Sequence, residues 1–177
     1  MAAAILSAAN LGAAAHAPRS AGKGVDAITL LKADHRTVEK LFAQFDKARG
    51  DARRKALADR ICHDLRLHMQ IEEEIFYPAS RLYLQDQDIV DEAVVEHAAA
   101  RDLIDEIEAM APGEELYDAK VTVLCEQIDH HVEEEEADYF PGVRKTGMDL
   151  NALGARLQAR KNELMAETRP NRTTPVH

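Results

Sequence analysis

One internal repeat constrains this chain more than any other feature. The segment Leu67-His68-Met69-Gln70-Ile71-Glu72-Glu73-Glu74-Ile75-Phe76-Tyr77-Pro78 has a second copy in His130-His131-Val132-Glu133-Glu134-Glu135-Glu136-Ala137-Asp138-Tyr139-Phe140-Pro141. An offset of 63 residues lays His68 on His131, Glu72 on Glu135, Pro78 on Pro141 and Cys62 on Cys125. Two further histidines, His35 and His97, lie 62 residues apart, each preceded by an acid, Asp34 or Glu96. A His and a Glu four residues apart on an α-helix are offset by only about 40° around its axis, so both leave the same face. The order His, HxxxE, His, HxxxE is therefore a metal-site pattern carried on helices.

The apolar positions supply those helices. Leu31, His35, Val38, Phe42 and Phe45 recur at steps of 4, 3, 4 and 3, predicting a helix over 27–48 with a histidine in its inner stripe. Ile61, Leu65, His68, Glu72 and Ile75 repeat the spacing and predict a second helix over 52–76, ended by Pro78. A third, over 88–110, presents Val90, Val94, His97, Ala100, Ile104 and Ile107. A fourth, over 114–140, presents Val121, Leu124, Ile128, His131 and Glu135 before Pro141. A shorter helix is expected after Asp149 as N-cap, to Glu167, with Leu150, Leu153, Leu157 and Leu164 inward. Four helices of this length with short connections predict an all-α, up-down-up-down four-helix bundle with a short extra C-terminal helix. The expected organisation is a mobile Ala-rich tail over 1–25, the bundle over 26–144, the added helix within 145–167 and a disordered tail over 168–177.

Charge and composition exclude several classes. A formal net charge of −10 opposes nucleic acid or anionic membrane as partner, because phosphate contacts need clustered Lys and Arg. No stretch reaches the eighteen or so apolar residues of a membrane span. Two cysteines in a helical acidic chain make no disulfide framework, which favours a reducing, cytoplasmic setting. Ala15-His16-Ala17 has the form of a signal-cleavage site, but no basic region precedes it and Asn10 interrupts the apolar core. His16 and His177, in the two tails, are not expected to be ligands. Nothing resembles a Ser/His/Asp triad, a phosphate loop or a zinc knuckle.

A single His on an apolar stripe is more often a hydrogen-bonded core residue than a ligand, and a single HxxxE is more often a surface pair. The joint pattern reverses that weighting. If the stripes hold, His35, His68, Glu72, His97, His131 and Glu135 share one core layer. Each left unsatisfied costs about 1–3 kcal/mol, and six such costs rival a domain's whole stability of roughly 5–15 kcal/mol. A metal, or a complete hydrogen-bond network, must offset them. Four imidazoles and two carboxylates without thiolate suit iron, manganese or zinc, and six donors exceed one tetrahedral zinc. They suit two ions, with carboxylates bridging and imidazoles terminal. The ferritin-like arrangement is disfavoured, because it needs Glu-x-x-His and no histidine here has Glu three residues before it.

Over about residues 28–141 the chain resembles a hemerythrin-like (HHE cation-binding) domain. The matching features are Asp34-His35, His68-x-x-x-Glu72 with Phe76-Tyr77-Pro78, Glu96-His97, and His131-x-x-x-Glu135 with Tyr139-Phe140-Pro141. The resemblance implies a non-haem di-iron centre bridged by the two carboxylates and an oxo or hydroxo group. It implies reaction with a small diatomic or peroxide ligand: family members carry oxygen, sense oxygen or iron, handle nitric oxide or decompose peroxide. Two departures matter. The oxygen carriers place a second His four residues after the one on the third helix, where this chain has Arg101, and their last carboxylate five residues after its His, where this chain has Glu136 beside Glu135. Repeat symmetry favours Glu135, with Glu136 in reserve. One imidazole fewer leaves a coordination position open, favouring a di-iron enzyme of the catalase-like kind. Binding, carriage or sensing of oxygen, nitric oxide or iron without turnover is the alternative.

Other residues have weaker claims. His63 and His130 break the repeat, pairing with Glu126 and Leu67, and are expected on the flanks. Cys62 and Cys125 read as buried small hydrophobes. Tyr139 could donate near the metals, with ordinary packing the default, and Glu73, Glu74, Glu133 and Glu134 read as a solvated face.

Overall fold

The computed structural model describes residues 24–85 and 87–168; the Ala-rich segment up to residue 23, His16, and residues 169–177 with His177 lie outside them. Seven α-helical segments order the described chain: α1 (Ala27–Lys47), α2 (Asp51–Ile71), α3 (Tyr77–Arg81), α4 (Asp88–Glu108), α5 (Tyr117–Glu134), α6 (Phe140–Arg144) and α7 (Leu150–Glu167). A π-helical turn joins α2 to α3 (Glu72–Phe76) and another joins α5 to α6 (Glu135–Tyr139), making two long continuous helices. With α1 and α4 these form the bundle: α1 packs on α2 and α5, and α4 on α5 and α2, so chain neighbours are spatial neighbours and run up-down-up-down. α7 lies across α1 and α2.

The ends follow local chemistry. Asp26 caps α1, accepting from the Thr29 amide at 3.1 Å and its hydroxyl at 2.6 Å, and Asp149 caps α7 through the Ala152 amide at 3.0 Å. The fourth long helix begins at Tyr117 rather than 114, because Leu116 sits at φ 72°, a left-handed conformation through which a right-handed helix cannot run. Gly154 is where α7 crosses the start of α1, so closely that a Cβ there would lie 2.3 Å from the Val25 carbonyl oxygen.

The prolines do not end their helices. Pro78 is the second residue of α3 and Pro141 the second of α6. In each wide turn the amide before the proline bonds five residues back, Tyr77 to the Glu72 carbonyl and Phe140 to the Glu135 carbonyl. The change of register absorbs the donor that proline lacks and gives its ring room, so the helix continues. It also moves the inward positions along by one: Phe76 and Tyr77 are buried, whereas Ile75 is only partly so. On α4 the expected inward Val94 is 38 % exposed and Ala93 is buried in its place. The core falls into two apolar clusters, one built on Phe42, Phe45, Ile61, Leu65, Ile104 and Leu124, the other on Ile28, Leu31, Phe76, Tyr139, Phe140 and Leu157. A polar layer lies between them.

Candidate metal centre

That layer consists of His35, His68, Glu72, His97, His131 and Glu135, all at 5 % exposure or less. The α1 and α2 histidines face each other with Nε2 atoms 3.1 Å apart, and so do those of α4 and α5. The carboxylates lie between the pairs. Glu72 Oε2 is 3.2 Å from His68 Nε2 and 3.5 Å from His97 Nε2, while Glu135 Oε2 is 3.3 Å from His35 Nε2 and 3.8 Å from His131 Nε2. Two donor groups result: His35, His68, Glu72 and Glu135, and Glu72, His97 and His131, the donor atoms of each within 4.8 Å of one another. Glu72 belongs to both. Each carboxylate is the first residue of a π turn, yet its amide still bonds four residues back, to the His68 or His131 carbonyl, so it shares its histidine's face of the helix.

A second ring of acids holds the imidazoles. Nδ1 of His35 lies 2.9 Å from Glu136, that of His97 2.9 Å from Glu73, and that of His131 2.7 Å from Glu96. Asp34 stands 3.6 Å from His68 Nδ1, too long for a hydrogen bond but close enough to orient the ring. A carboxylate can only accept, so each hydrogen-bonded imidazole carries its proton on Nδ1 and turns an Nε2 lone pair inward. Neighbouring Nε2 atoms that both lack a proton repel. Both oxygens of Glu72 and Oε2 of Glu135 are buried without a hydrogen-bond partner. Converging lone pairs with nothing to accept from are the environment a cation satisfies, so these residues fit a metal.

Electrostatics agree. Burial pushes the Glu72 carboxyl well above its ordinary range, reinforced by the Glu135 charge. Burial acts on Glu135 too, but the surrounding imidazoles of His35, His131 and His68 outweigh it and hold it low. Burial drives His68 down to about 4 despite Asp34. Glu136 is held at about 2, since its contacts to His35, Lys32 and Arg36 outweigh its partial burial.

The family model described as hemerythrin HHE cation binding domain matches residues 26–143. The chain belongs to that family. Its hemerythrin-like fold is shared with a solved hemerythrin HHE cation binding domain-containing protein from Mycobacterium kansasii, at 24 % identity and a TM-score of 0.71, over 81 % of this chain and 89 % of that one. A DNA nickase from Nostoc sp. (strain PCC 7120 / SAG 25.82 / UTEX 2576) is 26 % identical over 115 residues, 65 % of this chain. The chain spans about a third (32 %) of that relative's length.

The hemerythrin-like site brings all six predicted donors together and sorts the remaining candidates. Glu136 stands outside the layer, bonded to His35 Nδ1, to Lys32 at 3.1 Å and to Arg36. Glu73, expected on a solvated face, instead holds His97 and accepts from Arg101 at 2.8 Å. Arg101 thus reaches the layer through Glu73. The acids of Asp34-His35 and Glu96-His97 do not serve their own neighbours; each turns to the histidine of the next helix. Tyr139 bonds Ser80 rather than the centre. The hydroxyl at the centre is that of Tyr77, donating to Glu135 Oε1 at 3.2 Å and standing 3.3 Å from His97 Nε2. Its repeat counterpart is Phe140, stacked on His35 at 5.8 Å. The order Phe-Tyr in one copy against Tyr-Phe in the other was the signal for that difference. His63 joins neither buried donor group, and Cys62 is a buried free thiol pushed up to about 12 by burial. No helix among the described residues is long and apolar enough to cross a membrane.

Proposed function

We propose that the six-residue layer holds two iron ions and that the protein decomposes hydrogen peroxide. The supporting observation is a small cavity, about 10 Å³, on the imidazole side of the layer, lined by His35, His68, His97 and His131 and by Val38, Leu65, Met69 and Ile128. So little free space beside the imidazoles favours a small ligand such as peroxide or a diatomic over an organic substrate. When bound, the iron pair supplies the two-electron redox chemistry of dismutation, two H₂O₂ giving two H₂O and one O₂.

The chain's own groups do the rest. His35, His68 and Glu135 would hold one ion and His97 and His131 the other, with Glu72, which belongs to both donor groups, serving either. Glu136, Asp34, Glu73 and Glu96 fix the rings and raise their basicity. Tyr77 keeps a proton at its hydroxyl, because burial and the neighbouring carboxylates push its pKa well above the ordinary phenol value; that proton faces Glu135 at the edge of the layer. The apolar wall keeps bulk water from the reacting groups. No nucleic acid enters this reading: the nickase match covers a third of that protein, and the net charge of −10 opposes phosphate.

The test is oxygen release from hydrogen peroxide by the iron-loaded protein, with metal-free protein and His68→Ala as controls. Many turnovers in the wild type alone are expected. Reversible oxygen binding over repeated cycles without peroxide turnover would replace the enzyme with a carrier or sensor.

A further inference from the structure

The two halves of the repeat finish their outer acids differently. In the first half, Asp34 turns Oδ2 to His68 and receives the Lys161 ammonium from α7 on Oδ1. α7 is seated there by Leu153, Leu157 and Leu164, in the same apolar cluster as Leu67 and Ile71 of α2. In the second half, Glu96 turns Oε2 to His131 in the same way. The repeat counterparts of Leu67 and Ile71 are His130 and Glu134. His130 Nε2 lies 3.3 Å from Glu134 Oε1 and 3.9 Å from the outward Oε1 of Glu96. The His130 side chain is 64 % exposed, in an open recess of about 500 Å³ that also takes in Asp91 and Glu92.

We propose that Glu96, His130 and Glu134 form a second, surface metal site that takes one divalent first-row cation such as zinc. The donor atoms of the three lie within 4.8 Å of one another, and one imidazole with two carboxylates is a donor set such ions accept, water completing the shell. The cation stands where Lys161 stands in the first half: each half places a positive charge on the outward oxygen of the acid that orients an inner histidine. One half supplies it covalently from α7, the other leaves it to solution. The bound ion also relieves the repulsion between the Glu96 and Glu134 carboxylates and the acidic recess around them. This site does not depend on what the buried centre holds.

The experiment titrates zinc chloride into the full-length, iron-loaded protein and measures zinc and iron per chain after desalting, with calorimetry for affinity. Wild type is expected to take one zinc with its iron content unchanged. His130→Ala/Glu134→Gln, both positions outside the buried layer, should keep the iron and melting temperature and weaken zinc binding at least about tenfold, the least that loss of a metal's supporting partner costs. His130→Lys, which offers an ammonium in place of the ion, should do the same. Zinc uptake unchanged in these variants, no uptake by wild type, or uptake matched by iron loss would each overturn the proposal. Should the protein carry no buried iron, the difference of one zinc between wild type and double variant still reads the surface site alone.

Discussion

Replacing Glu73 with Gln tests whether the outer acids work on the metal rather than on the fold. Glu73 accepts from His97 Nδ1 at 2.9 Å and from Arg101 at 2.8 Å, and its side chain is 28 % exposed. Partly solvated ion pairs contribute about 0–1 kcal/mol to folding, so metal-free Glu73→Gln should unfold within about 1 kcal/mol of wild type. Its effect on the ligand is larger, because Glu73 fixes the tautomer and orientation of His97. Loss of such a partner costs about 10–100-fold in metal affinity, which is about 1.4–2.7 kcal/mol. If that loss appears in full in the metal-loaded protein, its melting temperature should fall by about 3–10 °C. The assay pairs chelator competition with thermal melts of loaded and metal-free protein. Unchanged affinity with a destabilised metal-free protein would refute the reasoning, for Glu73 would then be a fold residue only.

Two further outcomes follow from single residues. Metal-free protein should lose stability as pH falls from 6.5 towards 4: His68 is neutral in the fold down to about 4 but protonates at its ordinary value once unfolded, a difference of about 3 kcal/mol. His97, also lowered by burial, and Glu135, held low by its imidazoles, add to the loss, while His131, raised by Glu96 against its burial, and Glu72, raised by burial, oppose it. Glu72→Gln, which removes the opposing carboxyl, should steepen the loss, and flat denaturant midpoints between pH 7 and 4 in that variant would contradict this. Gly154→Ala should destabilise by about 1–3 kcal/mol despite Ala's better helix propensity, because its Cβ meets backbone atoms of Val25, Asp26 and Ala27, and a melt at or above wild type would show that α7 shifts freely.

Much of this architecture was legible because helical period and ligand spacing coincide. His35 on a 4-3-4-3 stripe and Glu72 four residues after His68 can face only one interior. The prolines misled for a physical reason: a π turn needs no marker residue, and Pro78 reads as a stop unless the register change before it is known. The same turn brings Tyr77 to the centre, a position that a 3.6-residue period places differently. The outer acids were hidden because Asp34 and Glu96 reach across helices to His68 and His131, which sequence adjacency to His35 and His97 does not suggest. Glu73 and Glu136 sat within glutamate runs, where only burial of the adjacent ligand distinguishes them from solvated neighbours. Lys161 could not be placed without knowing that α7 lies on α1 and α2.

The central claim is that the six-residue layer holds two iron ions. Iron content per chain, measured with the visible spectrum on wild type and on His68→Ala/His131→Ala, tests it most directly. Two iron atoms in the wild type and most of that iron lost in the double variant are the predicted result. Full iron retention after loss of both histidines would contradict it.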